Sequence, residues 1–348
     1  MGSTHVGYRR DRSGNTSESP GFSHGEDVND KELCNIQNQR RLLALCAIQI
    51  DHKSVDWSLI AREASFPDGL DMLWNGYIQE NSKIAKASQD ILRQGVRRPD
   101  ELLKRVDAEI EAARDVGATL ITVLDDNYPT NLRLVPNLPP FLFVRGEIRN
   151  EDALSVAVVG TRKASELGIR SAERMSRLLV KRGVTVISGL ARGIDTAAHR
   201  SALDSGGRTI AVLGTGITKC YPEENRYLAE DIVHHGALVS QFWPTRSPGR
   251  DTFPRRNVVT SGLSQGTVVI EASYTSGAKM QARLALEHGK KVFLVRSLVT
   301  NQEWAQTYVE KRGAIEVSNV EEVIRYLASP DKLRQVSEQR QQLTLAFL

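Results

Sequence analysis

From residue 154 onward the hydrophobic positions fall into short continuous runs separated by amphipathic stretches. "LSVAVVG", "VTVISG", "RTIAVLG", "GALVSQF", "GTVVIEA", "KKVFLV" and "AIEV" are rich in Val, Ile and Leu, and several end in glycine or a small polar residue. Helical spacing fills the intervals over 166–182, 193–205, 223–235, near 255–262, 277–288 and 301–312, and a last helix is expected over 321–327. Repeated β–α alternation predicts parallel strands joined by crossover helices, an α/β doubly wound sheet. The near-continuous apolar runs predict strands covered on both faces.

The first third has a different pattern. Residues 31–118 read as a small helical domain. "RRLLALCAIQI" (40–50) is apolar enough for a buried helix. In 98–118, Leu102, Leu103, Val106, Ile110 and Ala113 recur at helical spacing, with Pro99 marking the start and Gly117 the end. "ATLITVL" (118–124) then predicts a strand, and a proline-rich connection leads to a second short strand, "FLFV". Residues 1–30 are polar and glycine-rich, and a disordered tail carrying Arg9, Arg10 and Arg12 is expected there. Residues 330–348 read as a polar tail.

Composition narrows the class only a little. A net charge of +4 and a pI near 8.9 are compatible with a polyanionic partner. Cys34, Cys46 and Cys220 are far apart with no C-x-x-C, so neither a disulfide framework nor a structural metal is expected. No apolar run approaches the ~18 residues of a membrane span, and no signal peptide is evident. A cytoplasmic protein without membrane contact is the expectation.

In open α/β sheets ligands bind beyond the carboxyl ends of the strands. Those ends carry "GTRKAS", "SGLARGID", "GTGITKCYP", "QFWP" and "EASYTSGA". Four of the five combine glycine with Ser or Thr, which lets phosphates approach main-chain amides and helix N-termini. Arg162 and Lys163 lie in the first of these turns, where cations oppose the helix dipole unless they meet an anion. Arg255 and Arg256 follow Phe253, a combination suited to base stacking with phosphate pairing. The plain alternatives are a solvated surface pair at 162–163 and, at 253–256, a helix start with Pro254 in the first position.

Catalytic signals are sparse. There is no G-x-S-x-G. Asp195 and His199 stand four apart, the spacing of a hydrogen-bonded helical pair. Glu271 ends a strand beside the turns, where it could act as a base or organise the loop through main-chain amides. No catalytic residue, cofactor or metal is expected.

Taken in order and spacing, "VAVVGTRKASELG", "VTVISGLARGIDTAAHRSAL", "GGRTIAVLGTGITKCYPEENRYLA" and "FPRRNVVTSGLSQGTVVIEASYTSGAKMQARLALEHGKKVF" resemble the DNA-processing protein A family, DprA or Smf. The likeness is strong over about 145–325 and looser over 31–118. It implies a Rossmann-like domain over 119–329, with its core at 154–327. It also implies single-stranded DNA binding without sequence preference, homodimers, and in many members loading of a RecA-type recombinase, with no enzymatic role. Carried onto this sequence, strand contacts fall on Gly160, Thr161, Arg162 and Lys163, on Ser188, Gly189 and Gly193, on Phe253, Arg255, Arg256 and Asn257, and on Ser276 and Gly277.

The sequence departs from the family in places. Its R-N-R reads Arg256-Asn257-Val258, its S-E reads Ser240-Gln241, and its V-P-G reads Val295-Arg296-Ser297. The winged-helix domain that ends many members is not found in the sequence. These departures keep a second reading open, a DprA-like regulator or antitoxin that restrains a partner toxin or defence enzyme. A third reading, a nucleotide-processing enzyme using Glu271, rests on a distant echo in "GTVVIEA".

Overall fold

Two strands, Gly266–Val269 and Thr185–Ser188, flank Ser155–Val159 on either side, and everything that positions the site follows from that arrangement. The computed structural model describes residues 24–97 and 99–346. The residues before Asn38 form one unit and Asn38–Leu348 a second, much larger one.

The helical segment opens with α1 (His24–Ala47), followed by a minimal hairpin of β1 (Gln49–Ile50) and β2 (Lys53–Ser54). Next come α2 (Trp57–Ala64), α3 (Gly69–Trp74), α4 (Lys83–Gly95) and α5 (Pro99–Arg114). Leu42, Leu43 and Leu45 are fully buried, as the apolar run at 40–50 predicts. The expected tail at 1–30 lies outside the described residues up to position 23, and α1 begins at His24, inside that segment.

The sheet has nine strands in the order β11-β10-β9-β5-β6-β7-β8-β4-β3. Its strands are β3 (Ala118–Thr122), β4 (Phe141–Gly146), β5 (Ser155–Val159), β6 (Thr185–Ser188), β7 (Thr209–Val212), β8 (Gly236–Ser240), β9 (Gly266–Val269), β10 (Lys291–Val295) and β11 (Ile315–Val317). From β8 through β11 the pairing is parallel, with Val156 opposite both Val186 and Gly266. The β4 strand pairs antiparallel with both β8 and β3, which makes the sheet mixed at that edge. The chain therefore moves outward from β5 through β8 and then returns to the other side of β5. This reversal creates a crevice beyond the ends of β5 and β9, the place where doubly wound sheets bind ligands.

The helices are α6 (Thr130–Arg133), α7 (Glu166–Val180), α8 (Ile194–Asp204), α9 (Arg226–His235), α10 (Thr252–Leu263) and α11 (Gly277–Glu287). They continue with α12 (Arg296–Asn301), α13 (Glu303–Arg312), α14 (Val320–Ile324) and α15 (Pro330–Ala346). Two differ from the sequence pattern. A further helix, α12, starts directly at the end of β10, where no glycine or proline marks the change. The polar segment from 330 is helical, consistent with its Gln, Arg, Glu and Leu content, residues that lose little rotamer freedom in a helix.

Candidate functional site

The turn after β5 is held from below by the end of β9. Thr161 N donates to the Glu271 carbonyl at 2.7 Å. The Glu271 carboxylate accepts from Ser165 N at 3.1 Å and Ser165 Oγ at 2.8 Å. Ser165 also caps α7, accepting from Gly168 N at 3.0 Å. A Cβ on Gly168 would lie 2.0 Å from Glu271 Oε2, so the helix approaches the carboxylate this closely only with glycine at that position. Of the two roles open to Glu271, its contacts are those of loop organisation.

The turn after β6 packs against the first. Gly193 has a left-handed backbone (φ 73°), and a Cβ there would lie 2.5 Å from the Thr161 carbonyl. Asp195 is buried and accepts from Gly189 N at 3.2 Å and Ala191 N at 3.4 Å. It does not pair with His199, although their spacing predicts such a pair. His199 Nδ1 instead meets Thr209 Oγ1 at 2.7 Å. Placed at the start of α8, Asp195 is drawn to the loop amides rather than down the helix. Burial raises its carboxyl pKa, and the nearby Arg256 cation offsets part of that rise. Burial, with Arg256 second, pushes the His199 imidazole down to about 3.

Between these turns and α10 lies a cleft of about 490 Å³. Arg256 forms its floor and is 8% exposed. Its Nη1 donates to the Val212 carbonyl at 3.2 Å, while its Nε has no partner. Burial lowers its pKa, Asp195 counteracts this, and Arg162 adds to the lowering. Arg162 stands exposed on the rim, its guanidinium 5.0 Å from the Phe253 ring centroid, and Tyr221 tilts against Phe253 at 5.8 Å. A cation laid on a ring keeps its N–H edges free for an anion. Gly160, Thr161, Asn257, Ser276 and Gly277 complete the walls. Ser276 caps α11 by accepting from Ala278 N at 3.2 Å, so the start of a helix opens onto the cleft.

The cleft thus gathers eight of the thirteen residues expected from the sequence and leaves five outside its lining. Lys163 borders a separate depression beside Ser165 and Glu271. Ser188 is buried and donates its hydroxyl to the Val158 carbonyl at 2.7 Å. Gly189 seats Arg256, since a Cβ would fall 1.3 Å from Nη1, and its amide is committed to Asp195. Gly193 shapes the turn as described. Arg255 projects to the other side of α10, its guanidinium 5.0 Å from Trp57 and 5.3 Å from Phe242. Consecutive residues on a helix point about 100° apart, which separates Arg255 from Arg256. Val258 lines the depression on that side together with Arg255, so the departure from R-N-R falls there and not beside Arg256. The helix itself begins at Thr252, which places Pro254 in the third position.

Among the lining residues that the sequence expectations omit, Gln281 and Arg250 bear most on binding. Gln281 is 2% exposed with both amide atoms unpartnered, and Arg250 joins the rim. Gln281 lies one helical turn beyond Gly277 on α11, and Arg250 three residues before Phe253. The register of those two motifs carried the signal. Among the described residues no group of three or more His, Cys, Asp or Glu is placed to hold a metal. No described helix is long and apolar enough to cross a membrane.

A doubly wound, mostly parallel sheet with an arginine-lined cleft at its reversal point defines a Rossmann-like α/β protein. Residues 119–328 match the family model of DNA recombination-mediator protein A, more than half of the chain, and the chain belongs to that family. Protein Smf of Escherichia coli strain K12 is 40% identical over 210 residues, 60% of this chain and 56% of its own length. DNA processing protein DprA of Streptococcus pneumoniae is 39% identical over 174 residues, 50% of this chain and 61% of its own. The chain therefore spans less than two thirds of the length of either relative.

Among solved structures, DNA processing protein A from S. pneumoniae superposes with a TM-score of 0.61 at 26% identity, covering 87% of this chain and 97% of its own. This likeness extends beyond 119–328. DNA processing protein A from Helicobacter pylori, whose structure concerns its single-stranded DNA binding mode, gives a TM-score of 0.54 at 25% identity, covering 60% of this chain and 94% of its own.

Proposed function

We propose that this protein binds single-stranded DNA without sequence preference and assists recombination by presenting the strand to a RecA-type recombinase. The observation that carries the reading is the pairing of Arg162, exposed and laid over Phe253, with Arg256, buried on the floor and left with an unpartnered Nε. Family membership and the single-strand binding of the H. pylori relative support it. Backbone phosphates meet the two guanidinium groups and the start of α11. Gln281 and Asn257 supply polar contacts at the cleft wall. Affinity then comes mainly from phosphate neutralisation, so it falls steeply with salt.

The test is fluorescence anisotropy of a labelled oligothymidine across a salt series. Arg162→Ala should weaken binding and reduce the slope of log K against log salt by about 0.7 for each phosphate no longer neutralised. Unchanged affinity and slope would overturn the site. The recombinase step is read separately, as filament growth on strands covered by single-strand binding protein, which the wild type should accelerate.

A further inference from the structure

A second cleft, of about 740 Å³, adjoins the first: Ser276 and Met280 line both. It lies between α11 and α13. Its features are those of a strand-binding surface. Tyr274 is 71% exposed, and Lys279 Nζ sits 3.2 Å from its ring centroid. Arg312 lies 5.0 Å from the ring of Tyr308. Arg283 also lines the cleft; its ion pair with Glu287 is long, 3.4 Å between exposed side chains. Trp304 forms the back wall, fixed by its indole N–H donating to the Ala272 carbonyl at 3.2 Å. One carboxylate, Glu303, shares the rim with the three cations, so the cleft is net cationic.

We propose that a bound single strand continues from the Arg162–Arg256 cleft past Ser276 into this second cleft, where Tyr274 stacks a base and Lys279, Arg283 and Arg312 pair with phosphates. The inference rests on the function proposed above and adds a direction and a length to it. An exposed aromatic beside cations is the recurring means of holding single strands, because every base has a stacking face and every linkage a charge. It also gives a role to Arg312, which stands in the last turn of α13 and lines this cleft. A strand too short to reach it uses the first cleft alone.

The test compares oligothymidines of about five and about fifteen nucleotides, bracketing common single-strand site sizes. Tyr274→Ala with Lys279→Ala should weaken the longer oligonucleotide about tenfold and lower its salt slope, leaving the shorter one unchanged. Tyr274→Phe should bind as wild type, because the stacking face is kept. Arg162→Ala should weaken both lengths. If the double variant binds both lengths like wild type while Arg162→Ala does not, the second subsite is wrong and the first cleft stands. If the wild type binds neither length, both readings fall. Equal weakening at both lengths also overturns the extension, and an unchanged circular dichroism melt of the double variant excludes misfolding as the cause.

Discussion

At the scale of single residues, Gly189 and His199 report on Arg256 from two sides. A methyl group at 189 would occupy the space of the Arg256 guanidinium. Gly189→Ala should therefore displace that cation and weaken single-strand binding, with the overall fold retained by circular dichroism. His199 gives a pH signature. An unfolded histidine titrates near 6.5, whereas the buried imidazole is held at about 3 by burial and by Arg256. Because the folded value is depressed, the unfolded chain binds more protons. Stability is then complete above pH 6.5 and is lost as pH falls toward 3, by about 1.4 kcal/mol per pH unit. His288, lowered to about 4 by burial and then Lys290, acts in the same direction but is only partly buried. Urea unfolding between pH 7 and pH 5 should show a smaller loss in His199→Gln than in wild type. Equal losses would mean that the imidazole is not the group responsible.

At the scale of elements, the start of α7 depends on a contact that crosses from β9. Ser165→Ala removes the cap and should cost about 1 kcal/mol in denaturant unfolding. Glu271→Gln weakens charge-assisted bonds to Ser165 and should cost a further 1–2 kcal/mol or so. It should also loosen strand binding by releasing the Thr161–Arg162 turn. The βα alternation that creates these turns was legible from the sequence, since Val, Ile and Leu runs covered on both faces have few other solutions. The direction of side chains on α10 was less so. Without the true start at Thr252, "FPRR" places Arg255 and Arg256 together, whereas one residue of helix sends them to different clefts. The Asp195–His199 spacing misled for a related reason: periodicity says which residues share a face, and loop amides at a helix start then compete for the carboxylate. Composition does not separate the Gln281 amide from a surface one; only its register on α11, one turn beyond Gly277, marks it.

At the scale of the whole molecule, the helices from Asn38 onward share a core with the sheet. Trp57 lies 5.0 Å from Phe141 and 6.0 Å from Trp243, joining α2 to the ends of the strands. Trp57 is half-buried, so Trp57→Ala should cost roughly 2–3 kcal/mol, less than a fully buried tryptophan. Unfolding should remain a single transition when followed by both circular dichroism and tryptophan fluorescence. Two separated transitions would show that the helical segment unfolds independently.

The walls of the first cleft come from residues near 160 and near 276, which are brought together only by the parallel pairing of β5 with β9. No local fragment of the chain can assemble that site, so occupancy is thermodynamically linked to completion of the sheet. A strand that binds only the folded state must raise the melting temperature, with about 2.7 kcal/mol of added stability at a hundredfold excess over the dissociation constant. A thermal-shift assay with unlabelled oligonucleotides therefore serves as a direct screen for the preferred ligand.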